Sequence, residues 1–283
     1  MILNKCVLCL TKAVTAVASA PMKLIVSADE KNLPKPDGAE VCRKTRYVLL
    51  DREVSCQGVT NDGEYFYLSG NRHLGKACIK TGKTVRMNLH AIPEELQERN
   101  CNHIGGLSYY NGCIYAAIED GPDYLNSFIA VYDAKTLEFT GKYYELPHEL
   151  HLAGVPWCAA DVENNCIYTA EWDDAAILNV FDLDELTLVK TIPLSEPIDR
   201  IQGAELYGGK LYLSCDEEND KKRILSLDVK TGEVETAFTR NIGSQFEAED
   251  ITVTVDEQGP VFYVLDRGER DKSTSLTGYR ITK

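Results

Sequence analysis

A short motif recurs five times along this chain of 283 residues, and its spacing constrains the fold more than any other feature. Successive copies are separated by about 44–53 residues. They are Gln57-Gly58-Val59-Thr60, Gly105-Gly106-Leu107, Cys158-Ala159-Ala160, Gln202-Gly203-Ala204 and Glu249-Asp250-Ile251-Thr252. Self-similarity at a fixed period of this size indicates a repeat architecture, in which each unit is one small supersecondary element.

Each copy of the motif leads through a turn to a tyrosine. In the first four units the tyrosine follows the second motif residue by nine positions, and in the fifth a short insertion intervenes. These tyrosines are Tyr67, Tyr115, Tyr168, Tyr212 and Tyr263. The turn between each motif and its tyrosine is rich in Asn, Asp and Gly, as in Asn61-Asp62-Gly63 and Asn111-Gly112. The pattern therefore predicts a hairpin between the first and second strands of each unit.

Each unit continues with a third strand, a turn and a fourth strand. In the three middle units the third strand ends in an aspartate, Asp133, Asp182 or Asp228, whose side chain can cap the turn that follows. Four strands per unit at this period indicate the blade of a β-propeller. The sequence thus predicts an all-β protein, a five-bladed β-propeller with four-stranded blades. Only the segment 93–99 has helical character, and it is predicted to lie in a loop.

The two ends of the repeat array complement each other. The last unit ends with its third strand, at residues 276–281, and lacks a fourth. The first unit is preceded by an additional apolar segment, at residues 47–51. We predict that an N-terminal strand at about residues 46–54 completes the last blade and closes the ring. Ring closure also removes sheet edges that an open array would expose.

The chain is acidic, with 44 Asp and Glu against 30 Lys and Arg and a net charge of −14. Nucleic acids and anionic membranes are bound largely through Lys and Arg, so neither is an expected partner. An acidic surface suits cations, polyols and sugars better. We expect a monomer that binds a small molecule or a peptide.

Residues 1–21 are either a signal peptide or an over-extended N terminus, and residues 22–283 are expected to form a single propeller domain. Ala18-Ser19-Ala20 after an apolar run resembles a signal cleavage site, although Lys12 interrupts that run. The ten cysteines show no disulfide framework, which favours the cytoplasm. Export is expected if residues 1–20 are a signal peptide.

A propeller gathers residues from distant segments onto one face. The loop that leads into the innermost strand of each blade and the loop that leaves the second strand lie on the same side. We predict a ligand site there, an acidic funnel that contains aromatic side chains. The candidate ligand-binding residues are Gln57, His103, Glu119, His151, Trp157, Glu171, Arg200, Gln202, Asp216, Glu247, Glu249 and Asp266.

The residues of this face could support metal binding or acid–base catalysis. Gln57, Gln202 and Glu249 could form an oxygen-ligand ring for Ca²⁺, and no other cofactor is indicated. The sequence contains no nucleophile elbow, HExxH motif or phosphate-binding loop. Candidate acid or base residues are Glu205, Glu249 and His103, but their separations do not follow from the sequence.

Several segments resemble the YVTN/quinoprotein-like propellers, through turns such as Asp228-Val229-Lys230-Thr231-Gly232. Gln57-Gly58-Val59 followed by Leu68-Ser69-Gly70, and Gln202-Gly203-Ala204-Glu205 before Gly209-Lys210-Leu211-Tyr212, are similar to segments of the plant and bacterial type of glutaminyl cyclotransferase. That family has five blades and cyclises N-terminal glutamine. Of its Asn-Glu-Leu-Glu segment only Glu205 is kept, and Leu68 replaces an acidic residue.

Two functions follow from these observations. The first is a non-catalytic, ligand-binding propeller. The alternative is an enzyme, either of the glutaminyl cyclotransferase type or a metal-assisted hydrolase or lyase.

Overall fold

A computed structural model describes residues 35–48, 50–217, 221–243, 245–268 and 273–282. Contacts divide the chain into two units, Met1–Asn32 and Leu33–Lys283, and every described residue belongs to the second. The predictions made for residues 1–21 therefore lie outside the described residues. No helix in the described part is long and apolar enough to cross a lipid bilayer.

The described residues form five four-stranded antiparallel sheets, here called blades 1 to 5. The chain begins with β1 (Ala39–Tyr47). Blade 1 contains β2 (Val59–Asn61), β3 (Tyr65–Gly70), β4 (His73–Cys78) and β5 (Thr84–Asn88), and blade 2 contains β6 (His103–Tyr110), β7 (Cys113–Glu119), β8 (Ser127–Asp133) and β9 (Phe139–Glu145).

The remaining blades follow the same order. Blade 3 contains β10 (Ala159–Asp161), β11 (Cys166–Thr169), β12 (Ala175–Asp182) and β13 (Leu188–Ile198), and blade 4 contains β14 (Ile201–Tyr207), β15 (Lys210–Cys215), β16 (Lys221–Asp228) and β17 (Val234–Asn241). Blade 5 contains β18 (Phe246–Asp256), β19 (Gly259–Gly268), β20 (Thr274–Ile281) and β1. Three short helical turns lie between strands, α1 (Leu50–Glu53), α2 (Glu94–Gln97) and a 3-10 turn (His148–Leu150).

The five innermost strands are β2, β6, β10, β14 and β18, and each contacts the next around a ring that closes between β18 and β2. The sheets are therefore the blades of a five-bladed β-propeller, as the repeat predicts. We call the side of the ring on which loops lead into these five strands the inlet face. On the opposite, hairpin face, tight turns join each innermost strand to the second strand of its blade.

Ring closure occurs as predicted, but with a different segment. β1 pairs antiparallel with β20, from Ala39 opposite Ile281 to Tyr47 opposite Thr274. The predicted strand at about 46–54 is wrong in its bounds, because the chain turns helical at Leu50–Glu53. β1 is the outermost strand and is half exposed, so it lacks the apolar run by which a buried strand is recognised.

The hydrophobic core lies between neighbouring blades, so each blade is covered on both faces. Leu74 of blade 1 and Phe128 of blade 2 belong to one buried cluster, and Val59 of blade 1 and Leu276 of blade 5 belong to another. Third strands such as β8 are buried along most of their length. A strand covered on both faces has a continuous apolar sequence rather than an alternating one.

The predicted aspartate caps are confirmed. The Asp133 carboxylate accepts hydrogen bonds from the backbone N–H groups of Lys135 and Thr136, at 3.0 and 2.7 Å. Asp228 accepts from Lys230 and Thr231 in the same way, at 2.8 and 3.0 Å. These bonds fix the turn between the third and fourth strands.

Glycines of the recurring motif make room at the ring axis. A Cβ on Gly203 would overlap Asp250 Oδ1, and a Cβ on Gly106 would lie 3.2 Å from Asp250 Oδ2 and 2.9 Å from the Cβ of Trp157. A Cβ on Gly58 would collide with the innermost strand of blade 2. The absence of a side chain at these positions therefore allows close approach of the innermost strands.

The side chain of Asp250 fills the space that the glycines leave. Its Oδ2 accepts hydrogen bonds from Val59 N at 2.8 Å and Leu107 N at 3.3 Å, and its Oδ1 accepts from Ile251 N at 2.8 Å. The residue is fully buried, and burial raises the pKa of its carboxyl group well above the usual value. One side chain thus joins the innermost strands of blades 5, 1 and 2.

Blade 3 departs from the predicted repeat alignment. Tyr115 pairs with Ser108 in blade 2, seven residues earlier, whereas Tyr168 pairs with Ala159, nine residues earlier. The hairpin loop of blade 3, at residues 162–165, is two residues longer than that of blade 2. The position of Gly106 is consequently occupied in blade 3 by Trp157, not by Ala159.

Candidate functional site

The inlet face carries most of the predicted site residues, and backbone irregularities help to orient them. The register of β18 shifts between Ala248 and Ile251, and that of β14 shifts between Ile201 and Gly203. Glu249 and Gln202 lie within these shifts. Bulges of this kind redirect side chains and are common beside functional sites.

A hydrogen-bonded chain joins blades 1, 2 and 3. The Nε2 atom of His103 lies 2.8 Å from Gln57 Oε1, and its Nδ1 atom lies 3.1 Å from Glu119 Oε1. The other carboxylate oxygen of Glu119 accepts a hydrogen bond from Val155 N at 2.7 Å. Three predicted site residues are therefore brought together, and both oxygens of Glu119 have a partner.

A second cluster joins blades 4 and 5 around Asp216, which is 4% exposed. Its Oδ2 pairs with Arg200 at 2.7 Å, and its Oδ1 accepts from Ala248 N and lies 2.9 Å from Lys222 Nζ. The Arg200 guanidinium also lies 5.2 Å from the ring of half-buried Trp172. The Asp216 carboxylate is fully engaged with protein partners.

Glu249 is less completely paired than Asp216, and together with its neighbours Glu247 and Arg267 it is here called the Glu249 group. Glu249 is only 2% exposed, and its Oε1 has no hydrogen-bond partner among the described residues. Arg267 NH1 is 4.0 Å from Glu249 Oε1 and 3.5 Å from Glu247 Oε2. Burial, and then the neighbouring Glu247 carboxylate, raise the pKa of Glu249 well above its usual value.

Asp266 forms a buried ion pair with Arg240, a residue that was not predicted to belong to the site. Arg240, 1% exposed, places NH1 2.5 Å from Asp266 Oδ1, while its Nε and NH2 have no hydrogen-bond partner among the described residues. Burial raises the pKa of Asp266, and the charge of Arg240 opposes that shift. The pair lies between blades 4 and 5.

Two predicted site residues, Trp157 and His151, are buried away from solvent, and Glu171 is partly exposed. Trp157 is fully buried in the core cluster shared by blades 3 and 4. His151 is also fully buried, with Nδ1 donating to Pro147 O at 2.9 Å and Nε2 2.8 Å from Thr169 Oγ1, and burial lowers its pKa to about 4. Glu171 holds a loop by accepting a hydrogen bond from Leu152 N at 2.7 Å.

The described residues form no cluster of side chains that supports the predicted metal site. No group of three His, Cys, Asp or Glu side chains within the described ranges is arranged to hold a metal ion. In the predicted calcium ring of Gln57, Gln202 and Glu249, the Gln57 carbonyl oxygen faces His103. All eight cysteines in the described part are free thiols.

Glu205 lies farther along β14 than Gln202, towards the hairpin face. Its Oε2 accepts a hydrogen bond from Thr252 Oγ1 at 2.9 Å, and Thr60 contributes another. Burial raises the pKa of its carboxyl group to about 7. Glu205 is therefore a half-buried carboxyl group that titrates near neutrality, separate from the Glu249 group.

Comparisons with known proteins place this chain in no family. No known protein family matches the sequence, and no curated protein matches it. A Kuenenia stuttgartiensis hydrazine synthase chain is similar in structure, with 13% identity and a TM-score of 0.44 over 87% of this chain and 60% of that chain. A chain of the mitotic checkpoint complex is similar with 8% identity and a TM-score of 0.44, over 94% of this chain and 98% of that chain. This chain spans less than two thirds of the hydrazine synthase chain.

The most consequential residue that sequence reasoning left out of the site is Asp250. A signal for it existed, because it is a charged residue aligned with Gly58, Gly106 and Gly203. Arg240 and Lys222 carried no such signal. They lie on outer strands, and their role as partners of Asp266 and Asp216 depends on packing between strands.

Proposed function

We propose that this protein is a ligand-binding propeller that holds a small polar molecule on the inlet face, beside the Glu249 group. The observation that carries the proposal is the carboxylate of Glu249, which is 2% exposed and has an oxygen without a hydrogen-bond partner among the described residues. A buried polar atom left unpaired costs about 1–3 kcal/mol. A ligand that donates a hydrogen bond to Oε1 would remove that cost.

The surroundings of Glu249 support a preformed site. Glu247 and Arg267 have side chains that are 29% and 33% exposed, so they connect the buried carboxylate to solvent. The other buried acids of the inlet face are already paired, Glu119 with His103 and Asp216 with Arg200. Few convergent polar groups in a rigid frame are typical of small-molecule sites.

A thermal-shift screen of small amines, polyols, sugars and amino acids, followed by calorimetric titration, tests the proposal. We expect at least one compound to bind the wild-type protein and to bind Glu249→Ala at least ten-fold more weakly. Glu257→Gln, an exposed turn residue at the hairpin face, is the matched control and should bind normally. The proposal is wrong if no compound binds, or if the ligand found binds Glu249→Ala as tightly as wild type.

A second candidate function, an enzyme of the glutaminyl cyclotransferase type, is favoured by Glu205. Cyclisation of N-terminal glutamine joins the amino nitrogen to the side-chain amide carbon and releases ammonia, which requires proton transfer to the leaving nitrogen. A carboxyl group with a pKa of about 7 suits such transfer at neutral pH. Incubation with an N-terminal-glutamine peptide should release ammonia, and Glu205→Gln should lower the rate at least 100-fold. Absence of ammonia release excludes this function.

A metal-assisted hydrolase or lyase is the remaining enzymatic alternative. Elemental analysis of the purified protein and a calcium titration test its premise directly. Bound metal in stoichiometric amount would support this function. A metal-free protein whose melting temperature is unchanged by added Ca²⁺ would exclude it.

A further inference from the structure

We propose that an apolar strip on the inlet face of blades 2 and 3 is a docking surface for a basic, amphipathic segment of another protein. The strip consists of Tyr124, Leu125, Leu152 and Trp172. It lies on loops of blades 2 and 3, whereas the Glu249 group belongs to blade 5. Its partner is therefore a second one, beyond the small molecule proposed above.

Two leucines of the strip project into solvent. Leu125 and Leu152 are each 62% exposed. Leu125 lies in the loop that follows the second strand of blade 2, and Leu152 lies in the loop that precedes the innermost strand of blade 3. Both loops are on the inlet face. Exposure of large apolar side chains to water is unfavourable, and a contiguous apolar patch marks an interaction surface.

Two half-buried aromatic side chains make the strip continuous. The ring of Tyr124 lies against Gly154, where a Cβ would be 2.7 Å from Tyr124 Cδ1, so the loops of blades 2 and 3 pack together. Farther along, Leu152 N donates a hydrogen bond to Glu171 Oε1 at 2.7 Å, and Trp172 is the next residue. The strip thus runs from the inlet loop of blade 2 across both inlet loops of blade 3.

Hydrogen bonds fix the backbone beneath the strip. The Asp120 carboxylate, 3% exposed, accepts from Asn126 N at 2.8 Å and from Asn126 Nδ2 at 2.7 Å. Asn102 Nδ2 donates to Gly121 O at 2.7 Å in the same loop. The loop of Leu152 is held through its bond to the next loop of blade 3. Apolar side chains on a fixed backbone lose little conformational entropy on binding, so the strip is preorganised for a partner.

The negative charge of the chain is concentrated around the strip. Residues 100–189, which hold blade 2 and most of blade 3, contain 15 Asp and Glu against 2 Lys and Arg, which gives −13 of the total net charge of −14. The exposed acids of the inlet loops are Asp123, Glu149, Asp173 and Asp174. None of these four forms an ion pair within the part of the chain that the structure describes.

The charge around the strip selects the partner. Apolar side chains of a partner segment would cover the two leucines and Trp172, and its Lys or Arg side chains would meet the surrounding carboxylates. In such an interface the apolar anchors supply most of the affinity, and the charges at the rim supply specificity and speed of association. An acidic segment, a nucleic acid or an anionic membrane would be repelled.

Fluorescence anisotropy with three labelled peptides of equal length tests the proposal on the full-length protein. The first peptide contains Leu and Lys in an amphipathic helical pattern, the second has Glu in place of Lys, and the third has Ser in place of Leu. We expect the Leu–Lys peptide to bind at least ten-fold more tightly than either of the others. Its affinity should fall as the salt concentration rises. Absence of binding, binding that is independent of salt, or equal binding of the Ser–Lys peptide would overturn the proposal.

A pair of serine substitutions tests the strip itself. Leu125→Ser and Leu152→Ser, combined in one variant, should weaken binding of the Leu–Lys peptide at least ten-fold. Val162→Ser is the matched control, because Val162 is 51% exposed between Asp161 and Glu163 in the hairpin loop of blade 3, on the opposite face. The net charge is the same in all three proteins, so a difference in affinity reports the apolar contact. Since the leucines are exposed, the double variant should melt within a few degrees of wild type. Equal binding by the double variant and wild type would show that the strip is not the docking surface.

Glu249→Ala separates this surface from the small-molecule site. That variant should bind the Leu–Lys peptide as wild type does, and the double leucine variant should bind the small molecule normally. If no peptide binds, the docking surface falls and the proposed function is unaffected. If Glu249→Ala loses the peptide, the peptide occupies the Glu249 group and the separate docking surface is wrong.

Discussion

Gly203 and Asp250 occupy a single space at the ring axis, because a Cβ on Gly203 would overlap Asp250 Oδ1 and would lie 2.5 Å from the Asp250 Cα. The carboxylate reaches the backbone amides of Val59 and Leu107 only because no side chain stands in its way. The aspartate of blade 5 therefore requires a glycine at the facing motif position of blade 4.

Gly203→Ala is expected to destabilise the protein strongly. The added methyl group meets both the carboxylate and the backbone of residue 250, so relief requires movement of an innermost strand. Overpacking of this kind costs about 1–3 kcal/mol or more. Urea unfolding measures the loss. Gly112→Asn is the control, because open space surrounds Gly112 and asparagine tolerates its φ of +78°. Equal stability of the two variants would contradict the packing at the axis.

Asp250→Asn and Asp250→Ala should form a graded series. The asparagine keeps the shape but replaces one acceptor with an amide donor that faces a backbone N–H, at a cost of about 1–3 kcal/mol. The alanine also leaves a cavity and deprives the amides of Val59, Leu107 and Ile251 of their acceptor, so its cost should be larger. Exposed Asp173→Asn should be neutral in the same unfolding measurements. An Asp250→Ala variant as stable as wild type would exclude this role.

Glu205 should make stability depend on pH between about 4.5 and 7. The pKa of this carboxyl group rises from 4.5 to about 7 on folding, so the folded state binds the proton more tightly. The stabilisation is complete below pH 4.5, declines as the pH rises through 7 and is absent above. Linkage sets its upper limit at about 3 kcal/mol. Relative to wild type, Glu205→Gln should become more stable by this amount as the pH rises. A pH-independent difference would show that Glu205 has an ordinary pKa.

Arg240→Met should destabilise the protein by about 3–5 kcal/mol, since it leaves the buried Asp266 carboxylate without its cation. Arg240→Met combined with Asp266→Leu should recover most of the loss, because no buried charge remains uncompensated. Thermal or chemical unfolding of the single and double variants measures the coupling. Purely additive effects would mean that the two residues do not act as a pair.

Removal of β1 should expose the edge of β20. A chain that begins at residue 49 lacks the outermost strand of blade 5, whereas a chain that begins at residue 35 keeps it. We expect the shorter chain to unfold at a lower temperature and to associate at high concentration, because an unpaired edge strand templates pairing with another chain. The longer chain should behave as the intact protein does. Similar melting curves for both would show that β1 contributes little.

The sequence was sufficient for the architecture because each blade repeats the same local chemistry. Hairpin turns, aspartate caps and buried third strands are encoded within a few residues of each other, as in the turn after Asp133. β1 was misplaced because an outer strand has an exposed face and a polar sequence. Residues 47–51 carry the apolar pattern of a strand, yet β1 ends at Tyr47 and a helical turn begins at Leu50.

The face on which the candidate site lies could be predicted from the sequence. The directions in which its side chains point could not. In a regular strand, side chains alternate between the two sides, and a single inserted residue reverses the alternation. The register shifts at Gln202 and Glu249 each insert one residue and have this effect. The hairpin of blade 3 is two residues longer than that of blade 2, which places Trp157 at the position that Gly106 holds in blade 2. Trp157 is consequently found in the core, although its position in the chain suggested the funnel.

The carboxylate at the axis also has a consequence for how the chain folds. Asp250 bonds to amides 191 and 143 residues away, so the centre of the ring is complete only when the last blade has arrived. Repeat arrays whose units contact only their neighbours can grow one unit at a time. In this ring, blades 1 and 2 remain without their central acceptor until β18 of blade 5 has been synthesised. Folding governed by contacts so distant in sequence is slow, and the final blade controls when it ends.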